Sequence, residues 1–194
     1  MKTLAERVQQ ATGTSPLECY QCGRCSAGCP QNGPEGMDLG PTRIMRLLQL
    51  EDAFSDQPDV AAGYAGRALG AETPWLCAGC LACSQRCPQG IDIAGTMDVL
   101  RETSLQQGQA SKTRRARDIQ ALHHAFLEGV ARSGRMHELA LVLEYKLRTG
   151  HLFQDATLGP AMLGRGKLDL RPPRHRAGIE RVLEAATRLK EEEP

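Results

Sequence analysis

The 194-residue chain is short of aromatic side chains, with one tryptophan, three tyrosines and three phenylalanines. A large independent core resting on aromatic packing is therefore not expected. Charge imbalance is missing too. Lys and Arg number 24 against 23 Asp and Glu, a formal net charge of +1, so no overall field steers the chain to nucleic acid or a lipid surface. No apolar run approaches the roughly 18 to 20 residues that span a bilayer. The opening Met1-Lys2-Thr3-Leu4-Ala5-Glu6-Arg7 has no apolar h-region and no signal-peptide shape. These absences predict a cytoplasmic chain with no membrane span and no nucleic-acid partner.

Signatures of nucleotide binding and hydrolysis are absent as well. Neither G-x-G-x-x-G nor G-x-x-x-x-G-K-S/T occurs. Gly164-Arg165-Gly166-Lys167 lacks both the leading glycine spacing and the hydroxyl of a phosphate loop. The five histidines, His123, His124, His137, His151 and His175, show no metal-like spacing. No Ser/His/Asp set can be argued from spacing, and no flavin or nicotinamide site is visible. No catalytic residue is expected. No alternating pattern of useful length predicts a strand.

What the chain does have is cysteine in two runs. The first is Cys19-Tyr20-Gln21-Cys22-Gly23-Arg24-Cys25-Ser26-Ala27-Gly28-Cys29-Pro30. The second is Cys77-Ala78-Gly79-Cys80-Leu81-Ala82-Cys83-Ser84-Gln85-Arg86-Cys87-Pro88. Both read C-x2-C-x2-C-x3-C-P, they hold all eight cysteines, and each cysteine has its counterpart 58 residues on. This is the bacterial-ferredoxin pattern for two 4Fe–4S clusters, in which the fourth cysteine of one run serves the cluster of the other. Three cysteines two residues apart wrap one cluster from a single loop. The proline after the fourth favours the chain leaving there. The expected ligand sets are Cys19, Cys22, Cys25 and Cys87 for one cluster, and Cys77, Cys80, Cys83 and Cys29 for the other.

Zinc wants separated C-x2-C pairs, whereas each run crowds four cysteines into eleven residues. Disulfides want an oxidising compartment. The loop glycines Gly23, Gly28 and Gly79 would let backbone N–H groups approach cluster sulfur. Arg24 and Arg86 would either offset the charge of a reduced cluster or face solvent. Trp75, two residues before Cys77, would shield the cluster loop, serve as plain core, or both. With electron carriers and no readable substrate site, the chain reads as a wire between two other sites.

The remainder is mainly α in pattern. Residues 3–12 predict a short helix with Leu4 and Val8 on one face. Residues 31–40 are loop, and Pro41 suits a helix start ahead of Ile44, Leu47 and Leu48. Residues 52–73, with Gly63, Gly66 and Gly70, predict a loosely helical connector. Asp92 is a plausible N-cap for a helix over 93–107. Lys112–Arg117 reads as a solvated helix start or a docking patch for an acidic partner. Amphipathic helices are expected over 114–130 (Ile119, Leu122, Phe126, Val130) and 135–148 (Met136, Leu139, Leu143, Leu147), with Ser133-Gly134 turning between them. His123 is placed near the core face of its helix. Residues 149–175 predict an extended, partner-lying segment. A last helix over 176–191 has Ile179, Val182, Leu183, Ala186 and Leu189 on one side and a frayed Glu191-Glu192-Glu193 tail. The expected fold is an α-helical dicluster ferredoxin domain with flanking helices: residues 1–110 as the dicluster domain, and 111–194 as helical hairpin, docking segment and C-terminal helix.

These features resemble the C subunit of heterodisulfide reductase, including bacterial relatives in sulfur metabolism. The resemblance rests on Cys19–Pro30, on Pro41-Thr42-Arg43-Ile44-Met45-Arg46, and on Trp75-Leu76-Cys77 through Cys87-Pro88-Gln89-Gly90-Ile91-Asp92-Ile93. Tyr145-Lys146-Leu147-Arg148-Thr149-Gly150 and Gly166-Lys167-Leu168 add to it. It implies a non-catalytic electron-transfer component that passes electrons through two 4Fe–4S clusters. The partners it implies are the heterodisulfide reductase-like flavin-bearing polypeptide and the disulfide-active, cysteine-rich polypeptide with Cys-Cys-Gly motifs. No Cys-Cys pair occurs in this chain, so that catalytic part is expected on a separate polypeptide. The arginine-rich composition tilts the setting toward bacterial sulfur oxidation. Two alternatives stay open: the iron–sulfur component of a glycolate, lactate or glycerol-3-phosphate dehydrogenase, and a free soluble ferredoxin.

Overall fold

The computed structural model describes residues 2–166 and 178–192. Helix α1 (Leu4–Thr12) starts in a capping box. Thr3 Oγ1 accepts from Glu6 N, Glu6 Oε2 accepts from Thr3 N, and Gly13 closes the helix in the left-handed region. A 3-10 turn at Pro16–Glu18 leads into the first cysteine run, which contains the one-turn helix α2 (Arg24–Ala27). Helix α3 (Pro41–Ala53) has its proline at the first position, as expected, and buries Ile44, Met45, Leu47 and Leu48. The 52–73 connector is better ordered than its glycines predict. It contains a regular helix, α4 (Pro58–Leu69), again started by proline. Gly63 and Gly66 are tolerated because α4 packs along α3 and buries Ala68 and Leu69 at its end.

Helix α5 (Thr73–Leu76) brings the chain to Cys77 and buries Trp75. The second run contains α6 (Ala82–Gln85), and α7 (Ile93–Gln106) follows. Asp92 caps α7 as predicted, its Oδ1 accepting from Gly95 N at 3.0 Å. Leu4 and Val8 from α1, the apolar face of α3, and Ile93, Met97 and Leu100 from α7 form one core.

The two halves of this core are one plan used twice. Each run passes through the left-handed region at the same two positions, Gln21 and Gly23 in the first, Gly79 and Leu81 in the second. Each then makes a one-turn helix and, after a loop that is longer in the first half, enters a long helix. Met45 and Leu48 sit where Met97 and Leu100 sit in the second helix, and all four are fully buried.

The described chain divides into two compact units at Ala116/Arg117. The second unit contains most of α8 (Arg114–Ser133), then α9 (Glu138–Thr149), α10 (Leu158–Gly164) and α11 (Ile179–Glu192). Here the apolar stripes read from sequence hold in part: Ile119, Val130, Met136 and Leu139 are half-buried. Leu122, Phe126, Leu143 and Leu147 are exposed, and so is His123. The face α9 turns to α8 contains Ala140, Leu141 and Glu144, set against Ala125, Gly129 and Ser133. Small residues let the backbones approach there. A four-membered ion network then fixes the pair: Arg132 and Arg148 each bond both Glu128 and Glu144, at 2.8 to 3.3 Å. Helix α9 starts later than predicted because His137 caps it, Nδ1 accepting from Ala140 N.

Residues 149–175 are not wholly extended. Turns and α10 occupy 151–166, and 167–175 lie outside the described residues. In α11 Ile179 is half-buried while Val182 and Ala186 are exposed. The side chains of Leu183 and Leu189 lie outside the described residues, as does the residue at 193. No strand occurs among the described residues.

Candidate metal centre

All eight cysteines are free of disulfides. The structure gathers them in two groups. Cys29 comes together with Cys77, Cys80 and Cys83 around one cavity, otherwise lined largely by apolar side chains including Met37, Leu81 and Met97. Cys22, Cys25 and Cys87 stand close enough to Cys19 for their sulfurs to act on it electrostatically. The second cysteine of each run, Cys22 and Cys80, is exposed, whereas Cys25 is buried. No three His, Cys, Asp or Glu side chains among the described residues are disposed around a single metal ion. The Cys77 group frames a space rather than a point.

The donor set suits an iron–sulfur cluster. Burial is the main influence pushing the Cys19 thiol up, and the nearby sulfurs of Cys25, Cys87 and Cys22 add to it, against a lowering hydrogen bond from the Gln21 backbone. Burial likewise raises Cys83, partly opposed by Ser84. Thiolates in such a place need compensating positive charge, which bound iron supplies.

Five side chains that sequence reading did not single out hold the loops. Gln49 Nε2 donates to the carbonyls of Cys19 (2.6 Å) and Pro16 (3.3 Å). Arg101 donates to the carbonyls of Cys77 (2.7 Å) and Pro74 (2.5 Å), and pairs with Asp98 at 2.6 Å. Each is the ninth residue of its helix and each bonds the proline and first cysteine of its run. Ser26 Oγ accepts from Thr42 N at 2.9 Å, and Ser84 Oγ from Ala94 N at 3.1 Å, each tying a run to the second residue of the following helix. Gly40, just before α3, lies under two polar side chains: a Cβ there would come within 2.7 Å of Asn32 Oδ1 and 2.9 Å of Ser26 Oγ. Asp38 joins the halves. Its carboxylate accepts from Glu72 N, Thr73 N and Thr73 Oγ1 at 2.8 to 3.0 Å, capping α5.

Gly28 plays a part other than the one its place in the run suggests. Arg86 lies over it, and a Cβ would meet the Arg86 guanidinium at 2.0 Å. Arg24 and Arg86 line one surface cleft with Cys87. Arg115, from the basic run 112–117, is not simply solvated. It bonds the carbonyls of Glu35 (2.6 Å) and Gly36 (3.0 Å) and pairs with Glu72. Of the histidines outside the caps, His151 pairs with Asp118 at 3.1 Å.

Duplicated cysteine loops on a wholly helical frame define a 4Fe–4S dicluster domain, and residues 15–91 match the family of that description, "4Fe-4S dicluster domain". The cofactor is a pair of 4Fe–4S clusters. The chain is also similar, over about half its length, to the C subunits of heterodisulfide reductases. It is 32% identical over 102 residues to the C subunit of the ferredoxin:CoB-CoM heterodisulfide reductase of Methanosarcina mazei, covering 53% of this chain and 54% of that one. The C subunit of the ferredoxin/F(420)H(2)-dependent CoB-CoM heterodisulfide reductase of Methanosarcina acetivorans is 31% identical over the same shares. The iron–sulfur C subunit of the CoB–CoM heterodisulfide reductase of Methanopyrus kandleri is 29% identical over 50% of this chain and 43% of its own. The chain thus spans about half the length of the curated relatives it matches. No helix among the described residues is long and apolar enough to cross a membrane.

Proposed function

We propose that this protein is the electron-transfer component of a heterodisulfide reductase-like complex, relaying electrons between a flavin-bearing partner polypeptide and a disulfide- or thiol-active one. The observation that carries the reading is the gathering of eight free cysteines into two quartets on one rigid duplicated frame. Residues 1–110 form the dicluster domain. Cys19, Cys22, Cys25 and Cys87 hold one cluster, and Cys77, Cys80, Cys83 and Cys29 the other. The cavity that joins Cys29 to the second run supports the crossed sets, as does Cys87 among the neighbours of Cys19.

A bound 4Fe–4S cluster takes up and releases single electrons. The chain's own residues hold it still and keep water off. Gln49 and Arg101 pin the loops, Trp75 fills the core beside Cys77, and exposed Cys22 and Cys80 mark where the loops meet a partner. Residues 111–194 serve as hairpin, docking segment and C-terminal helix, a role supported by the exposed Leu143, Leu147 and Phe153. The compartment is the cytoplasm and the setting bacterial sulfur oxidation.

Affinity purification of the tagged chain from its host under anaerobic conditions tests this. Co-purification of a flavoprotein and a Cys-Cys-Gly protein is the expected result. Recovery with a glycolate, lactate or glycerol-3-phosphate dehydrogenase, or as a lone monomer with intact clusters, would overturn the assignment.

A further inference from the structure

The two halves repeat their backbone and their anchors, but not the side chains that face the ligand sulfurs. In the first half Gln21 Nε2 donates to Cys19 Sγ at 3.5 Å. Thr42 Oγ1 lies 3.2 Å from Cys25 Sγ. A ligating thiolate has no proton, so the hydroxyl must be the donor. Its surroundings favour that direction. Ser26 Oγ accepts from Thr42 N and stands 2.8 Å from Thr42 Oγ1. The Ser26 proton can therefore go to Thr42 Oγ1, leaving the Thr42 proton for sulfur.

The corresponding positions in the second half are Gly79 and Ala94, which have no side-chain donor. Ser84 does act on Cys83, lowering its pKa through both side chain and backbone, but its one hydroxyl proton has a carboxylate oxygen, Asp92 Oδ1, competing for it at 2.9 Å. Gln21 is also a residue in the wrong conformation for its type, at φ 63° where the other half uses Gly79. Each half holds one non-glycine in that strained region, Gln21 in the first and Leu81 in the second, and of the two only Gln21 has a side chain that can donate to sulfur. The amide is held in place by a second bond, Nε2 to Gln49 Oε1 at 3.0 Å.

We propose that Gln21 and Thr42 separate the two clusters in reduction potential, making the cluster bound through Cys19 and Cys25 the easier to reduce. Donors on a ligand sulfur stabilise the more negative, reduced state. Arg101 acts on the other half, but its charge is paired with Asp98 and its donors meet carbonyl oxygen rather than sulfur. Arg24 and Arg86 are open to solvent, which screens them. The proposal rests on the cluster reading above, though not on which run supplies each fourth thiolate. It gives the wire a thermodynamic slope, toward the first run.

The test is an anaerobic redox titration of the full chain followed by electron paramagnetic resonance, with iron and acid-labile sulfide measured on every sample. Cys22→Ser and Cys80→Ser identify which signal belongs to which run. Thr42→Ala and Gln21→Gly are each expected to lower the reduced-to-oxidised ratio of the Cys22-run cluster about fivefold at a given potential. That is roughly 40 mV at about 59 mV per tenfold for one electron. Thr42→Ser, which keeps the hydroxyl, restores the parental value, and Ala94→Thr shifts the other cluster upward. Full iron with both potentials unchanged in Thr42→Ala and Gln21→Gly overturns the proposal and leaves the cluster reading standing, as does a shift confined to the Cys80-run cluster. A parent chain without iron and sulfide overturns the cluster reading itself.

Discussion

Gln49 and Arg101 do the same task in the two halves: each binds the carbonyl oxygens of the proline and the first cysteine that open a run. One uses a neutral amide and the other a guanidinium. Hydrogen bonds from a charged donor contribute more, about 1.5 to 3 kcal/mol against about 1 for neutral ones. Arg101→Ala is therefore expected to cost about 2 kcal/mol and Gln49→Ala about 1 kcal/mol. Each is expected to speed loss of one cluster to an iron chelator, followed by visible absorbance. Rates equal to the parent's in both variants would show that the anchors do not hold the loops.

The crossed ligand sets make Cys29→Ser and Cys87→Ser act at a distance along the chain. Cys29→Ser is expected to disturb the cluster of the Cys77 run, and Cys87→Ser that of the Cys19 run. Paramagnetic resonance of each variant checks this against Cys22→Ser and Cys80→Ser. Disturbance confined to the variant's own run would contradict the crossing.

Glu51 gives a pH dependence whose sign follows from burial. Its carboxylate accepts from Leu4 N at 3.0 Å, and burial raises its pKa, with the Leu4 hydrogen bond opposing. A raised folded-state value means that its contribution is full below the ordinary carboxylate range and is lost as pH rises through the raised value. The parent is expected to lose stability relative to Glu51→Gln as pH rises above the ordinary carboxylate range, since glutamine keeps the acceptor without the buried charge. Urea midpoints across that rise in pH measure the difference. A widening advantage for the parent at the higher pH would refute the assignment.

Two glycines separate hard from soft crowding. At Gly36 a Cβ would meet the Gln31 carbonyl oxygen at 1.8 Å, whereas at Gly28 it meets the far end of Arg86. Gly36→Ala is expected to cost about 2 kcal/mol as backbone shifts. Gly28→Ala is expected to stay within about 0.5 kcal/mol, because Arg86 swings away. Thermal melts of the two variants under anaerobic conditions compare them directly.

Much of the iron–sulfur half is legible in sequence because its signals are periodic or repeated. The cysteine spacing, Pro41 at a helix start, Asp92 as a cap and the face of α1 all announce themselves. Gln49, Arg101, Asp38 and Thr42 do not. Each acts through a contact between residues far apart in the chain, and nothing in a lone polar residue on a helix marks it as an anchor. The duplication would have revealed two of them, since Gln49 and Arg101 hold the same place in the corresponding helices α3 and α7. Helix α4 was obscured by its glycines, whose cost is met by packing on α3. In α9 the stripe holds at Met136 and Leu139 but not at Leu143 and Leu147, because Leu141, the small residues of α8 and the Glu128–Arg132–Glu144–Arg148 network help set the facing surfaces.

The central claim is that these eight thiols hold two four-iron clusters, and metal analysis tests it most directly. Iron, acid-labile sulfide and zinc are to be measured per chain on anaerobically purified protein. The account predicts about eight iron and about eight sulfide. Zinc at about one or two per chain, without sulfide, would contradict it and turn the duplicated loops into a structural metal fold with no electron to carry.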